Sequence, residues 1–138
     1  MAGAHQDEDR LIVHRGSLNF VVLNRFPYTS GHLMVVPYRH MAELSALNDA
    51  EADEMFALVR KAELHLRNIY RPDGLNIGMN IGESAGAGIA SHIHMHMLPR
   101  WTGDANFMST IAETRVLPEE LPVTWQRLRD AFAPGAPR

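Results

Sequence analysis

The chain has 138 residues, 46% hydrophobic and 21% charged, without a low-complexity block, and this composition suits one soluble globular domain over residues 1–138. Its net charge of −3 excludes the broad basic surface that grips nucleic-acid backbones. No apolar run nears the roughly 18–20 residues of a membrane span, and the first ten residues are acidic and polar where a secretory leader would be basic and then apolar. A cytoplasmic protein with neither nucleic-acid nor membrane partners is expected. The absence of cysteine removes disulfides, thiolate nucleophiles and cysteine–zinc sites, so any chemistry must come from other groups.

In chain order, residues 1–9 read as a flexible end. Apolar runs follow at 11–14, 18–24 and 32–37, separated by Arg15-Gly16-Ser17 and by the Pro27 to Gly31 stretch, and predict three antiparallel strands. From Asn48 the period changes. Ala52, Met55, Phe56, Val59, Ala62, Leu66 and Ile69 form an apolar stripe at helical spacing, with Glu51, Glu54, Lys61 and Arg67 largely off it. Asn48 and Glu51 have the spacing of a capping box, and Pro72 with Asp73-Gly74 predicts a stop near Tyr70. Leu75, Ile77, Met79 and Ile81 then alternate with Asn76, Gly78, Asn80 and Gly82, predicting a strand with one packed face. A small-residue loop over 83–91 leads to a second alternating run, in which Ile93, Met95 and Met97 face the core and His92, His94 and His96 share the other face. Leu121, Trp125, Leu128 and Phe132 mark a short C-terminal helix, and 133–138 read as a flexible tail. Strands mixed with one long helix predict an α+β fold with an antiparallel sheet.

Three imidazoles on one face point to phosphorus chemistry. Neutral imidazole is a good nucleophile at pH 7, and one ring nitrogen can attack while the other holds its proton against an acceptor. Alternate residues of a strand lie roughly 6.5 Å apart, so a phosphate facing the middle ring, His94, is within reach of a flanking donor. Attack would form a phosphoramidate on His94, splitting one displacement into two easier ones. The backbone N–H groups of Gly86, Ala87 and Gly88, with Ser84 or Ser91 nearby, could steady the phosphoryl oxygens. The same glycines nearly match a dinucleotide fingerprint, but that motif leads into a helix, whereas a strand follows here. His5, His14 and His65 suit solvated or packing roles, and Trp101 after the strand suits a packing anchor.

The run His92-Ile93-His94-Met95-His96-Met97-Leu98 resembles the His-Φ-His-Φ-His-Φ-Φ signature of the histidine triad (HIT) family. The likeness extends back through residues 24–28 and 31–37 and forward through 99–101 and 103–108, and the forward segment looks most similar to the branch of diadenosine polyphosphate hydrolases and diadenosine tetraphosphate phosphorylases. The resemblance implies a HIT-like sheet with one long and one short helix, forming a homodimer through the long helix and a neighbouring strand. It implies that His94 attacks the α-phosphorus of an adenine nucleotide substrate to give an adenylyl-histidine, with His96 and His92 supporting its orientation and the phosphate contacts. Asn24 falls where relatives contact the ribose, Asn80 where they offer an amide to the phosphate or leaving group, and Gly86, Ala87 and Gly88 where their backbone holds phosphate. Water or phosphate would then release the nucleotide.

Two departures accompany the likeness. Gly88 stands where many relatives place Ser or Gln, which leaves the leaving group without an assigned proton donor. Some relatives hold a structural zinc with a cysteine pair and histidines corresponding to His40 and His92; without cysteine, no metal site is expected here, and no tightly bound cofactor, with Mg²⁺ arriving on the substrate. The competing readings are a nucleoside phosphoramidate hydrolase of the same family, a zinc enzyme ligated by the alternating histidines, and a nucleotide-binding protein without turnover.

Overall fold

The computed structural model describes residues 4–86, 92–104 and 119–135, with the side chains of residues 4 and 5 excepted. Helix α1 (Ala4–Asp9) leads into strands β1 (Ile12–Arg15), β2 (Asn19–Leu23) and β3 (Leu33–Pro37). Helix α2 (Asp49–Tyr70), strand β4 (Gly74–Gly78), strand β5 (Met95–Arg100) and helix α3 (Leu121–Phe132) follow. Every strand pair is antiparallel, and the order across the sheet is β1-β2-β3-β5-β4.

The register explains which face is covered. Val21 pairs with Val35, Leu23 with Leu33 and Leu33 with Met97, so these buried side chains line one face, where α2 and α3 add Met55, Leu58, Val59, Ala62, Leu66, Trp125 and Leu128. Pairs on the other face, Val22 with Met34 and Met34 with His96, are only half-buried. That open face carries His96.

Helix α2 starts as its sequence requires. Asn48 Oδ1 accepts from Glu51 N at 2.8 Å and Glu51 Oε1 accepts from Asn48 N at 3.0 Å, a capping box whose loss costs about 1 kcal/mol. Glu51 does a second job. It is buried, and it receives the Arg39 guanidinium at 2.7 and 3.0 Å; that guanidinium and the Asn48 N–H hold its carboxyl down at about 2. The helix ends at Arg71, which takes the left-handed conformation with φ 47° ahead of Pro72. Glu54 reaches the β1–β2 turn and accepts from the backbone N–H groups of Ser17, Leu18 and Asn19, which ties the helix to the hairpin.

Several expectations are corrected. The expected apolar stripe is rotated: Ala52 is exposed and Phe56 is 64% exposed, while Leu58 and Glu51 are buried, because the buried row of α2 runs Glu51, Met55, Leu58 or Val59, Ala62 and Leu66. The strand expected over 75–82 stops at Gly78, and Ile77 and Ile81 are 44% and 42% exposed, because β4 is the edge strand of the sheet. Residues 4–9, expected to be a flexible end, form α1. Its Asp7 is buried between Arg15 at 2.8 Å and Arg129 at 2.9 Å, joining the N-terminal segment to β1 and α3.

Candidate active site

The site begins with the bend before β3. Gly31 has φ +83°, and a Cβ there would meet the Tyr70 ring at 2.9 Å, so only glycine lets the chain pass this close to α2. Thr29 Oγ1 donates to Pro99 O at 2.8 Å, tying the bend to the end of β5. The bend sets His32 immediately ahead of β3 and beside His96, which lies opposite Met34 in the register.

The histidines do not stand as three equivalent rings. Strand β5 begins at Met95, so His92 and His94 precede it. Ile93 N donates to Met41 O at 2.8 Å and anchors this approach to the loop after β3. His92 Nε2 donates to Pro37 O at 2.8 Å, and its ring stacks on His40 at 4.1 Å between centroids. His94 and His96 form the working pair, edge to face at 4.5 Å. The expected row of three therefore resolves into a pair and an outlier. His92 reaches His94 through its carbonyl: His94 Nδ1 lies 3.1 Å from His92 O.

A carbonyl oxygen can only accept, so His94 Nδ1 carries the proton and Nε2 keeps its lone pair. That is the arrangement a nucleophilic imidazole needs. His96 Nδ1 sits 3.1 Å from His32 Nε2. Burial, and His94 beside it, lower the pKa of His96, and burial with His96 alongside pushes His32 down to about 4. Both rings are neutral at pH 7.

Beside this pair lies a cleft of about 450 Å³, lined by Tyr28, His32, Asn76, Asn80, His96 and Leu98 among others. Asn80 is therefore in the cleft. Gly86 closes a 3-10 turn in the left-handed conformation with φ +91°, and a Cβ on it would lie 3.9 Å from Asn80 Nδ2, so these two predicted substrate residues are neighbours. Asn24 lies against His32, its Nδ2 3.4 Å from Nε2, while its Oδ1 accepts from Phe26 N at 3.0 Å. Ala87, Gly88 and Ser91 lie outside the described residues.

Sequence reasoning left His32, Tyr28 and Asn76 without roles. Arg100 donates to Asn76 Oδ1 at 2.8 Å, grips Asp104 at 2.8 and 2.9 Å, and lies over the Tyr28 ring at 5.7 Å, stiffening one wall of the cleft. A signal for His32 exists in the sequence: it shares a face with Met34, opposite the buried Leu33 and Val35. The pairing of β3 with β5 that gives this meaning is a tertiary fact. The His92 ring stacks on His40, apart from the His94–His96 pair. Among the described residues no three His, Asp or Glu groups converge to hold a metal ion.

Residues 5–103 match the HIT domain. The chain belongs to the HIT family. Relatives within the family include the AP-4-A phosphorylase of Mycobacterium tuberculosis, 47% identical over 127 residues, which cover 92% of this chain and 65% of that protein. The bis(5'-nucleosyl)-tetraphosphatase [asymmetrical] of Schizosaccharomyces pombe is 30% identical over 93 residues, covering 67% of this chain and 50% of that protein. The chain thus spans less than two thirds of these HIT enzymes. The crystal structure of the Caenorhabditis elegans NitFhit protein matches with a TM-score of 0.73 at 26% identity, covering 89% of this chain and 27% of that one. A zinc-bound histidine triad family protein from Mycobacterium smegmatis shares the fold, with a TM-score of 0.71 at 24% identity over 88% of this chain and 83% of that one. No helix among the described residues is long and apolar enough to cross a membrane.

Proposed function

We propose that this HIT chain hydrolyses or phosphorolyses adenosine polyphosphates such as diadenosine tetraphosphate, through a nucleotidyl-histidine on His94. The observation that carries the reading is the 3.1 Å contact of His94 Nδ1 with His92 O, which holds the proton away and leaves Nε2 free. The Nε2 lone pair forms a bond to the α-phosphorus as the phosphorus–oxygen bond to the remaining polyphosphate breaks. Water or inorganic phosphate then attacks the same phosphorus, and the bond to His94 breaks. His96 faces the phosphoryl oxygens as a donor, with Asn80 and the turn at Gly86 beside it. Asn24 supports the ribose, and Mg²⁺ enters on the substrate's phosphates. The 47% identity with an AP-4-A phosphorylase supports the substrate class.

The reading includes a homodimer joined through β4 and α2. β4 pairs only with β5 among the described residues, and it carries the exposed Ile77, while α2 presents Phe56 to solvent. Light scattering should give twice the chain mass, and Ile77→Lys should shift the protein toward monomer. A single-chain mass for the wild type refutes the assembly.

The chemistry is tested by rapid quench at alkaline pH, where the phosphoramidate survives. Wild-type protein mixed with diadenosine tetraphosphate should gain the mass of one AMP moiety. His94→Ala should gain none and lose at least about 10³-fold in kcat. A His94→Ala variant that turns over at the wild-type rate sinks the proposal, and phosphate dependence of the products separates phosphorolysis from hydrolysis.

A further inference from the structure

The cleft beside His96 has a direction. His96 pairs with Gly78 across β5 and β4, Leu98 with Asn76 and Arg100 with Gly74, so the open face can be followed along the strands away from the reacting end. At about 3.4 Å per residue, Leu98 lies about 7 Å and Arg100 about 14 Å along that path. The two sides of the sheet differ as well. Asn24, which the proposed function gives to the ribose, follows β2, whereas the cleft lies over β5 and β4, with His32 between them. A substrate with its nucleoside at Asn24 and its α-phosphorus at His94 therefore has the β5–β4 cleft left for everything beyond that phosphorus.

The remote end of the cleft suits a ring better than a phosphate. Arg100 is fully engaged there: Nε and Nη2 donate to Asp104 and Nη1 donates to Asn76 Oδ1, so all three guanidinium nitrogens are taken. What Arg100 still offers is its face, 5.7 Å from the centre of the Tyr28 ring, which it backs from one side. Tyr28 is also fixed through its backbone, where N donates to His32 Nδ1 at 3.3 Å, yet the residue stays 37% exposed and lines the cleft. An aromatic ring that is anchored and backed but not covered is a stacking platform for a nucleobase. Beside it stand Leu98 and Asn76. With Asn76 Oδ1 taken by Arg100, the Nδ2 hydrogens remain as donors to a base edge. Gly78 keeps the floor clear between this end and His96: its φ is not positive, so the backbone does not call for glycine, and a Cβ there would meet nothing within 4 Å.

We propose that Tyr28 is a specificity-determining residue, the platform on which the second nucleobase of a dinucleoside polyphosphate stacks, backed by Arg100 and met at its edge by Asn76. The inference rests on the proposed function, in which the group departing from diadenosine tetraphosphate is a nucleoside triphosphate; the site holds the base of that departing group. The chain thereby distinguishes a dinucleotide from a nucleoside polyphosphate with as many phosphates by one stacked ring.

Calorimetry in a His94→Ala background measures binding apart from turnover. Diadenosine tetraphosphate should bind about fivefold to a hundredfold more tightly than adenosine tetraphosphate, the range for one stacked base. Adding Tyr28→Ala should bring the two ligands to within about twofold of each other, whereas Tyr28→Phe, which keeps the ring, should keep the preference. In NMR spectra of the His94→Ala protein, the Tyr28 ring protons should move upfield with diadenosine tetraphosphate and stay in place with inorganic tripolyphosphate. Equal affinities in the protein that retains Tyr28 overturn the proposal, as does a folded Tyr28→Ala that retains the preference. An unmoved Tyr28 ring overturns it whether or not Tyr28→Ala folds. If the alkaline quench finds no AMP on the wild-type protein while the preference depends on Tyr28, the nucleotidyl-histidine reading fails and the second-base site stands.

Discussion

Among the described residues, one group of histidines beside the cleft and another in the packed interior are built from the same residue type and put to different ends. In and beside the cleft, His32, His94 and His96 are engaged through their ring nitrogens, each contact directional and each fixing where a proton sits. At the junction of β1, α2 and α3, His14 and His65 instead flank Phe132, stacked at 5.0 Å and edge-on at 4.6 Å. There the ring faces are used, and neither histidine makes a ring-nitrogen hydrogen bond among the described residues. Burial and Lys61 lower the pKa of both, so each serves as a neutral aromatic wall. Imidazoles become chemical when their nitrogens are told apart by neighbours, and remain packing when only their faces are touched.

The sharpest way to break this contrast is to remove one ring from each side. His94→Ala should abolish turnover as stated above, whereas His65→Ala should leave kcat within about twofold in folded protein, read by steady-state kinetics on diadenosine tetraphosphate. Equal losses would erase the distinction. Next in size is Phe132→Ala, which removes the ring that both packing histidines touch. It should cost about 3–5 kcal/mol in urea unfolding and spare the kinetics of the molecules that remain folded.

The clusters should share one property, a stability that depends on pH. His32 has its pKa depressed from 6.5 to about 4, and His14 and His65 are depressed as well. The unfolded chain binds protons first as pH falls, so the contribution of all three is intact above about pH 6.5 and declines below it, that of His32 down to about pH 4. Melting temperature should fall through that window, and His32→Gln should flatten the slope. A melting temperature unchanged from pH 7 to pH 4.5 would contradict the neutral state of these rings. The smallest expected effect lies away from both clusters: Asn48→Ala should lose about 1 kcal/mol through its helix cap and alter neither cluster's chemistry.

Legibility varied by element. The first three strands and α2 were readable because apolar period and caps are local: α2 starts after Asn48 and stops at Tyr70 as its flanks require. The face of α2 was less readable, because Phe56 and Leu58 are both apolar and only the direction of the sheet decides which is covered. In the site, the His94 proton position follows from a neighbour two residues away. His32 is 64 residues from its partner, and the face it shares with Met34 gains meaning only once β3 pairs with β5.

Sequence by itself determined the first three strands, α2 and α3, the α+β class, the histidine-bearing segment and membership of a family, since each depends on spacing and residue type along a short stretch. The tertiary structure alone decided which imidazoles meet, which nitrogen of each carries the proton and which histidines merely pack. Those depend on hydrogen bonds between segments far apart in the chain, and a hydrogen bond exists only once both partners have been brought to within about 3 Å.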